Sequence, residues 1–339
     1  MASSPPPAPL SIPSVVLNDG HRMPLVGLGC MDFSPDVGYM ADLVYEAILI
    51  GYRHFDTAYI YQTEGLVGEG IRKAIDEGLV KREEVFVVTK VANYNLRRED
   101  VISQAKESNA ALGLGYIDLL LVHAPLPLEK PPPGQLIAFN ADGTLAVAQD
   151  VDVHTETWGA MQELVKEGIT KSIGVSNYSV KLLQRTLAHA TIKPAVNQIE
   201  SNPFHQRNDL LEFAKKEGII LTAYSPFGGP PALNGVGGLP EDFDANQKKN
   251  KPLLWDNEVI QGIAKKHGKT VSQILLKFHV ARGVSVIPKT IRKERLIENA
   301  SIFDFELDDE DWKQLRSLEA GRSCMPAFVA GLIALAEAR

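Results

Sequence analysis

Four residues of different type could move a proton together in this chain. HFDTAYIYQTE (54–64) sets Asp56 and Tyr61 five residues apart at the end of an apolar run. VFVVTK (85–90) ends on Lys90, and IDLLLVHA (117–124) carries His123. A free tyrosine gives up its proton only near about pH 10. A lysine ammonium beside it stabilises the phenolate and lowers that value, while a carboxylate keeps the lysine charged and in place. A histidine can donate a hydrogen bond to a carbonyl oxygen and orient it. Such a set suits proton donation to a carbonyl oxygen as a hydride reaches the carbon. Singly, each residue is weak: HFDTAYIYQTE also reads as a strand end followed by a turn, and a lone histidine after an apolar run is more often structural.

To meet at one point, these residues must end parallel strands. Short β-rich runs occur at VGLG (26–29), 54–58, 85–90, 117–124, KSIGVS (171–176), AVNQIE (195–200), IILTAYS (219–225) and VSVIPKT (284–290). Between them lie stretches with apolar residues three and four apart, such as MADLVYEAILIG, DVISQAKESNAALG and DLLEFAKKEG, several closed by glycine. Eight strands alternating with helices fit a doubly wound layer or a closed (β/α)8 barrel. In a barrel the polar strand ends converge, adding Ser176, Asn177, Gln198, Tyr224, Ser225 and Lys289 to the first four. Asn18-Asp19-Gly20, between two short apolar runs, predicts a hairpin ahead of the first barrel strand. Two long irregular stretches, 124–152 and 226–252, follow the fourth and seventh strands, so in a barrel both overhang the same face.

Composition narrows the class. Of 339 residues, 45% are hydrophobic, enough for a sizeable core, and the net charge of −7 gives no reason to expect nucleic acid or an anionic membrane as a partner. Cys30 and Cys324, the two cysteines, fit a reducing, cytoplasmic setting better than a disulfide framework or a metal site. MASSPPPAPLSIPS fits neither a secretory signal nor a transit peptide, and residues 1–13 are expected to form a flexible leader. The apolar AFVAGLIALAEAR falls short of the roughly 20 residues a membrane span needs; the tail, 321–339, is expected to pack, as a helix or against a second copy. No linker divides the chain, so 14–320 is expected to be one barrel.

GYRHFDTAYIYQTE, VVTK, LLLVHAP, KSIGVSN, VNQIE, TAYSP and IPKT together resemble the aldo-keto reductases in order and spacing, over about residues 14–320. The long stretch after the fourth strand, running into IKPAVNQIE, is most similar to fungal members of the xylose-reductase-like and ketoreductase branches. The resemblance implies a (β/α)8 barrel that reduces an aldehyde or ketone with NADPH. It implies Tyr61 as general acid, Lys90 and Asp56 as its tuners, and His123 as the residue orienting the carbonyl. It further implies that Ser176, Asn177 and Gln198 hold the nicotinamide carboxamide, that Tyr224 stacks on the ring with Ser225 beside it, and that Lys289, Thr290, Arg295, Glu298 and Asn299 meet the adenosine 2′-phosphate and adenine.

KTIRKER (289–295) supports the phosphate reading independently. Its Lys289, Arg292, Lys293 and Arg295 stand where the last helix should begin, and positive charge there opposes the helix dipole. A bound anion would remove the conflict, although a solvated helix face would also tolerate it. The dinucleotide fingerprint GxGxxG after a strand is absent, so the cofactor must be held by this other route.

The sequence departs from the family at the substrate wall. Where relatives of the aldose-reductase type carry aromatic rings, this chain has Met31, Ala92 and Ala124. That predicts a roomier pocket, or one filled by the long loops or by other rings such as Phe33, Tyr94 and Phe227, and points to a sugar-derived or bulky carbonyl rather than a simple pentose. A competing reading is an NADPH-binding redox-sensing regulatory subunit with little turnover, which has no need of a tuned acid. A barrel hydrolase using Asp56 or Glu64 with His123 and a metal lacks a His/Asp/Glu ligand cluster at the strand ends. No metal is expected, and the protein is expected to be a monomer or homodimer.

Overall fold

In a computed structural model, residues 9–34, 36–229, 254–324 and 327–339 are described. Eight parallel strands form one sheet in strict sequence order: β3 (Leu28–Gly29), β4 (His54–Asp56), β5 (Phe86–Val91), β6 (Ile117–Val122), β7 (Thr170–Ser176), β8 (Val196–Glu200), β9 (Ile220–Tyr224) and β10 (Ser285–Val286). The last strand returns to the first. Val26 bridges Val286 in parallel, Gly27 N–H donates to Val286 O at 2.8 Å, and Val286 N–H donates to Leu25 O at 2.8 Å. The sheet is therefore a closed (β/α)8 barrel rather than a doubly wound layer. Closure draws the two strands so near that a Cβ on Gly29 would stand 2.8 Å from Ile287 O, a clash that glycine avoids.

The central strands β5, β6 and β8 are buried along their whole length, as expected of parallel strands covered on both faces. Helices α1 (Met40–Ile50), α2 (Glu64–Asp76), α3 (Arg98–Leu112), α4 (Trp158–Lys166), α5 (Val180–Leu187), α6 (Asn208–Glu217), α8 (Val271–Val280) and α9 (Lys293–Ala300) turn apolar residues onto the barrel, while α7 (Glu258–His267) packs Ile260, Ile263 and Ala264 in a second cluster with α8 and with Leu315 of α10 (Asp309–Ser317). The antiparallel hairpin β1 (Ser14–Val16) and β2 (Arg22–Pro24) plugs the N-terminal end, where Leu17 and Met23 pack with Phe86, Val88, Leu119 and Leu121. The opposite mouth is thereby left as the open one.

Two segments lie over that mouth, and the first departs from the sequence expectation. The stretch after the fourth strand is not structureless: Leu128 bridges Val147 and Phe139 bridges Leu145, folding it into a hairpin-like arm with Leu128, Ala138 and Ala148 buried. Its apolar residues are too widely spaced to read as strands, and only burial against the barrel pairs them. The tail forms α11 (Ala327–Ala338). Carbonyls at the end of that helix have no intrahelical partner; Lys181 Nζ donates to Glu337 O at 2.8 Å, and Arg185 reaches Ala336 O and Glu337 O. Arg339 donates to Ala148 O at 2.9 Å, tying the tail to the arm. Most of the second long loop, 230–253, lies outside the described residues, as does the start of the leader, 1–8. Among the described residues no helix is long and apolar enough to cross a membrane.

Candidate active site

Asp56 closes β4 and Lys90 lies near the end of β5, so the parallel register brings both side chains to the open end of the barrel. Lys90 Nζ donates to Asp56 Oδ1 at 2.6 Å and to Thr57 O at 2.8 Å, and is wholly buried. Gln198 Nε2 donates to Asp56 Oδ2 at 2.6 Å, so both carboxylate oxygens are satisfied. A buried ion pair holds only when its geometry is good and its remaining polar atoms are paired; here both carboxylate oxygens and two of the three ammonium N–H groups are.

After β4 the chain makes a single 3₁₀ turn, Tyr59–Tyr61, which carries Tyr61 back over the strand ends. Its hydroxyl lies 3.4 Å from His123 Nε2, and the two rings meet edge to face. Lys90 Nζ stands 5.2 Å from the centre of the Tyr61 ring. An ammonium has three donors; two are used, and one remains for the phenol side.

The electrostatics correct one expectation. Burial, and then the Asp56 carboxylate, push the Tyr61 hydroxyl above its ordinary value rather than below it. Lys90 spends its charge on Asp56, 2.6 Å away, and not directly on the phenol oxygen. Tyr61 is thus held fully protonated. Burial, with Lys90 adding to it, pulls His123 down to about 3, so its imidazole is neutral. A neutral phenol and a neutral imidazole side by side can both act on one oxygen without introducing a charge beforehand.

A cavity of about 970 Å³ opens above this pair. Ser176, Asn177, Gln198, Tyr224 and Ser225 line it together, at the ends of β7, β8 and β9. Ser176 Oγ donates to Gln198 O at 2.8 Å, Tyr224 OH donates to Asn177 Oδ1 at 2.6 Å, and Asn177 Nδ2 donates to His123 O at 3.0 Å. Asn177 and Ser225 have φ of 65° and 47°, and Gln62, next to Tyr61, has φ of 57°. Left-handed backbone is uncommon for residues other than glycine, and three of the four such residues described flank this cavity.

The basic run ends the cavity. Lys289, Thr290, Arg292 and Arg295 line it, at and just before the start of α9, whose N-cap residue Arg292 makes no side-chain cap. Arg292 is not among the residues the resemblance implies, but it belongs to the basic run and lines the cavity with the others. Glu298 and Asn299, implied by the resemblance, do not line the cavity: Glu298 accepts from Thr270 Oγ1 at 2.6 Å and Asn299 is buried. One turn further along α9, they face α8 and the core.

Of the three residues expected at the substrate wall, Met31 and Ala124 line the cavity, but Ala92 does not. Ala92 is wholly buried, its N–H donating to Gln104 Oε1 at 3.0 Å. Phe33, Tyr94, Phe227 and Trp255 supply rings there, Leu128 and Ile137 come from the arm, and Leu332 and Ile333 come from α11. The α11 contribution had no sequence signal beyond apolar character. Glu64 does not line the cavity; it starts α2 and accepts from Thr89 Oγ1 at 2.5 Å. No group of His, Cys, Asp and Glu among the described residues could hold a metal ion.

One cavity thus joins a floor on which Tyr61 and His123 meet, a shelf of amide and hydroxyl groups, and a cationic end. That donor set fits a nicotinamide dinucleotide bearing an extra phosphate: polar groups for the carboxamide, cations for the phosphates.

Similarity to known proteins agrees. The model of the Aldo/keto reductase family matches residues 26–320. The NAD(P)H-dependent D-xylose reductase of Candida tenuis is 41% identical over 320 residues, covering 92% of this chain and 94% of that protein. The NADH-dependent D-xylose reductase of Candida parapsilosis is 37% identical over 313 residues, covering 91% and 92%. An aldo-keto reductase of Bombyx mori crystallised in complex with NADP superposes with a TM-score of 0.78 at 36% identity, covering 93% of this chain and 95% of that one. The chain belongs to the aldo-keto reductase family and is an NADP(H)-dependent oxidoreductase that reduces carbonyl groups.

Proposed function

We propose that Tyr61 protonates the carbonyl oxygen of an aldehyde or ketone whose carbonyl group rests between Tyr61 OH and His123 Nε2. The observation that carries this is the 3.4 Å approach of those two atoms on the cavity floor. NADPH, when bound, supplies the hydride. Ser176, Asn177 and Gln198 would hold its carboxamide, Tyr224 would stand under the ring with Ser225 beside it, and Lys289, Thr290, Arg292 and Arg295 would meet its phosphates. His123, being neutral, orients the carbonyl oxygen without competing as an acid. As Tyr61 gives up its proton, the Lys90 ammonium, 5.2 Å from the centre of the ring, would stabilise the developing phenolate, and Asp56 keeps Lys90 in place. Replacing Tyr61 with Phe should lower kcat by about 10²–10⁴-fold while NADPH binding stays within twofold; retention of most activity would remove Tyr61 from this role.

For the substrate, the apolar wall supports a bulky carbonyl over an open-chain pentose. Phe33, Tyr94, Phe227, Leu128 and Leu332 offer contact area and no hydrogen-bonding groups beyond the Tyr94 hydroxyl for a row of sugar hydroxyls. Relatives of similar identity are named D-xylose reductases, which makes D-xylose the informative control. Measured kcat/KM should be higher for an aromatic or branched aldehyde than for D-xylose, and the reverse order would overturn the assignment. Two free, buried thiols, Cys30 and Cys324, support a cytoplasmic location.

A further inference from the structure

The four cations of the basic run are not equivalent. Lys293 Nζ pairs with Glu46 on α1 at 2.5 Å, and Lys289 Nζ pairs with Asp32 Oδ2 at 2.8 Å. Among the described residues, Arg292 and Arg295 have no carboxylate within salt-bridge distance. Lys289 is therefore the cation lining the cavity that already has an anion beside it, and that anion, Asp32, lines the same cavity.

Asp32 is anchored independently of Lys289. Its Oδ1 accepts from Ser34 N–H at 2.8 Å and from Ser34 Oγ at 2.6 Å, and Tyr39 OH donates to Oδ2. Although its burial works the other way, the hydrogen bonds from Lys289, Ser34 and Tyr39 hold the carboxyl well below the usual carboxylate range, so it is charged at every working pH. The Asp32 side chain is 12% exposed and that of Lys289 33%, so the pair is only partly screened by solvent. A phosphate approaching Lys289 meets a fixed negative charge within hydrogen-bonding distance of the same ammonium.

We propose that Asp32 sets the cofactor preference of this enzyme: by holding Lys289, it withholds one cation from the 2′-phosphate of NADPH and narrows the gap between NADPH and NADH. Arg292 and Arg295 then carry most of the phosphate recognition. This rests on the assignment of Lys289 to the phosphate end of the cofactor, and the two ideas fail separately.

The test is a set of equilibrium titrations of the full chain with NADPH and with NADH, followed by quenching of tryptophan fluorescence, for the natural protein, Asp32→Asn, Lys289→Met and the double variant, with thermal melts to verify folding. Asp32→Asn should tighten NADPH about two- to fivefold, the range of a partly exposed ion pair, and change NADH by less than twofold. In the Lys289→Met background, Asp32→Asn should no longer tighten NADPH. The proposal is overturned if Asp32→Asn leaves NADPH binding unchanged or weakens it, if it tightens both nucleotides equally, or if the gain persists without Lys289. Should Lys289→Met alone leave NADPH binding unchanged, the phosphate role of Lys289 falls, whatever Asp32 does.

Discussion

The floor and the wall of the cavity are built on opposite principles. On the floor, Asp56, Lys90 and Gln198 are buried and tied by hydrogen bonds of 2.6 Å between strand ends, with Tyr61 and His123 set against them. The wall comes from loops and from a helix at the far end of the chain: Met31 and Phe33, Tyr94, Leu128, Phe227 and Leu332 belong to five separate segments and present mainly apolar side chains to the cavity. A strand end buried in a barrel cannot shift without moving its neighbours, whereas a loop can exchange one ring for another. The floor is therefore suited to one chemistry, and the wall to a choice of substrates.

That contrast can be broken most severely at the floor. Asp56→Ala leaves the Lys90 ammonium buried without its counter-charge, and removing one partner of such a pair costs about 3–5 kcal/mol. Denaturant unfolding should show that loss together with collapse of turnover. A stability within about 1 kcal/mol of the natural protein would mean that the pair behaves like an exposed one.

Acid should act on the next scale. Burial holds His123 down to about 3, and burial with Arg282 nearby does the same to His279 in α8. The unfolded rings titrate near about 6.5, so between those values the unfolded chain binds protons that the folded one refuses. Stability present above about pH 6.5 is lost as pH falls towards 3, with a slope approaching about 1.4 kcal/mol per pH unit for each ring. Melts recorded between pH 7 and pH 4 should show the decline, and His123→Asn should remove one ring's share of the slope. An unchanged slope in that variant would mean that His123 is not held neutral.

At the wall the effect should be smaller and of another kind. Leu332→Ala removes apolar surface that α11 presents to the cavity, and should raise KM for a bulky carbonyl about three- to tenfold with a lesser change in kcat. A fall in kcat as large as that in kcat/KM would place α11 in the chemistry rather than in substrate binding.

The motifs that form the floor were legible because strand chemistry is local. VFVVTK and IDLLLVHA announce their strands by β-branched and apolar runs, and their polar ends point to one face once the strands are parallel. Boundaries were less legible: VSVIPKT suggested seven residues of strand, but the ladder holds only Ser285–Val286; Ile287 and Pro288 keep one hydrogen bond each to the neighbouring strands, and Pro288 has no N–H to extend the pairing. Ala92 was expected in the pocket because the resemblance puts an aromatic ring of relatives at its position, yet its N–H is taken by Gln104 and it is wholly buried. The first turn of α3 and the side chain of Gln104 decide that, and neither is adjacent in sequence.

The sequence by itself determined the alternation of strands and helices, the four polar residues that the strand ends bring together and the excess of positive charge before the last helix. Residue type and spacing along the chain suffice for these. Tertiary structure alone decided that Tyr61 is held protonated rather than ready to ionise, that Lys289 already has Asp32 as a partner, and that α11 supplies part of the cavity wall. Each of these depends on what lies beside a group in space, since burial sets the cost of a charge and a neighbour's carboxylate can come from more than 250 positions away along the chain.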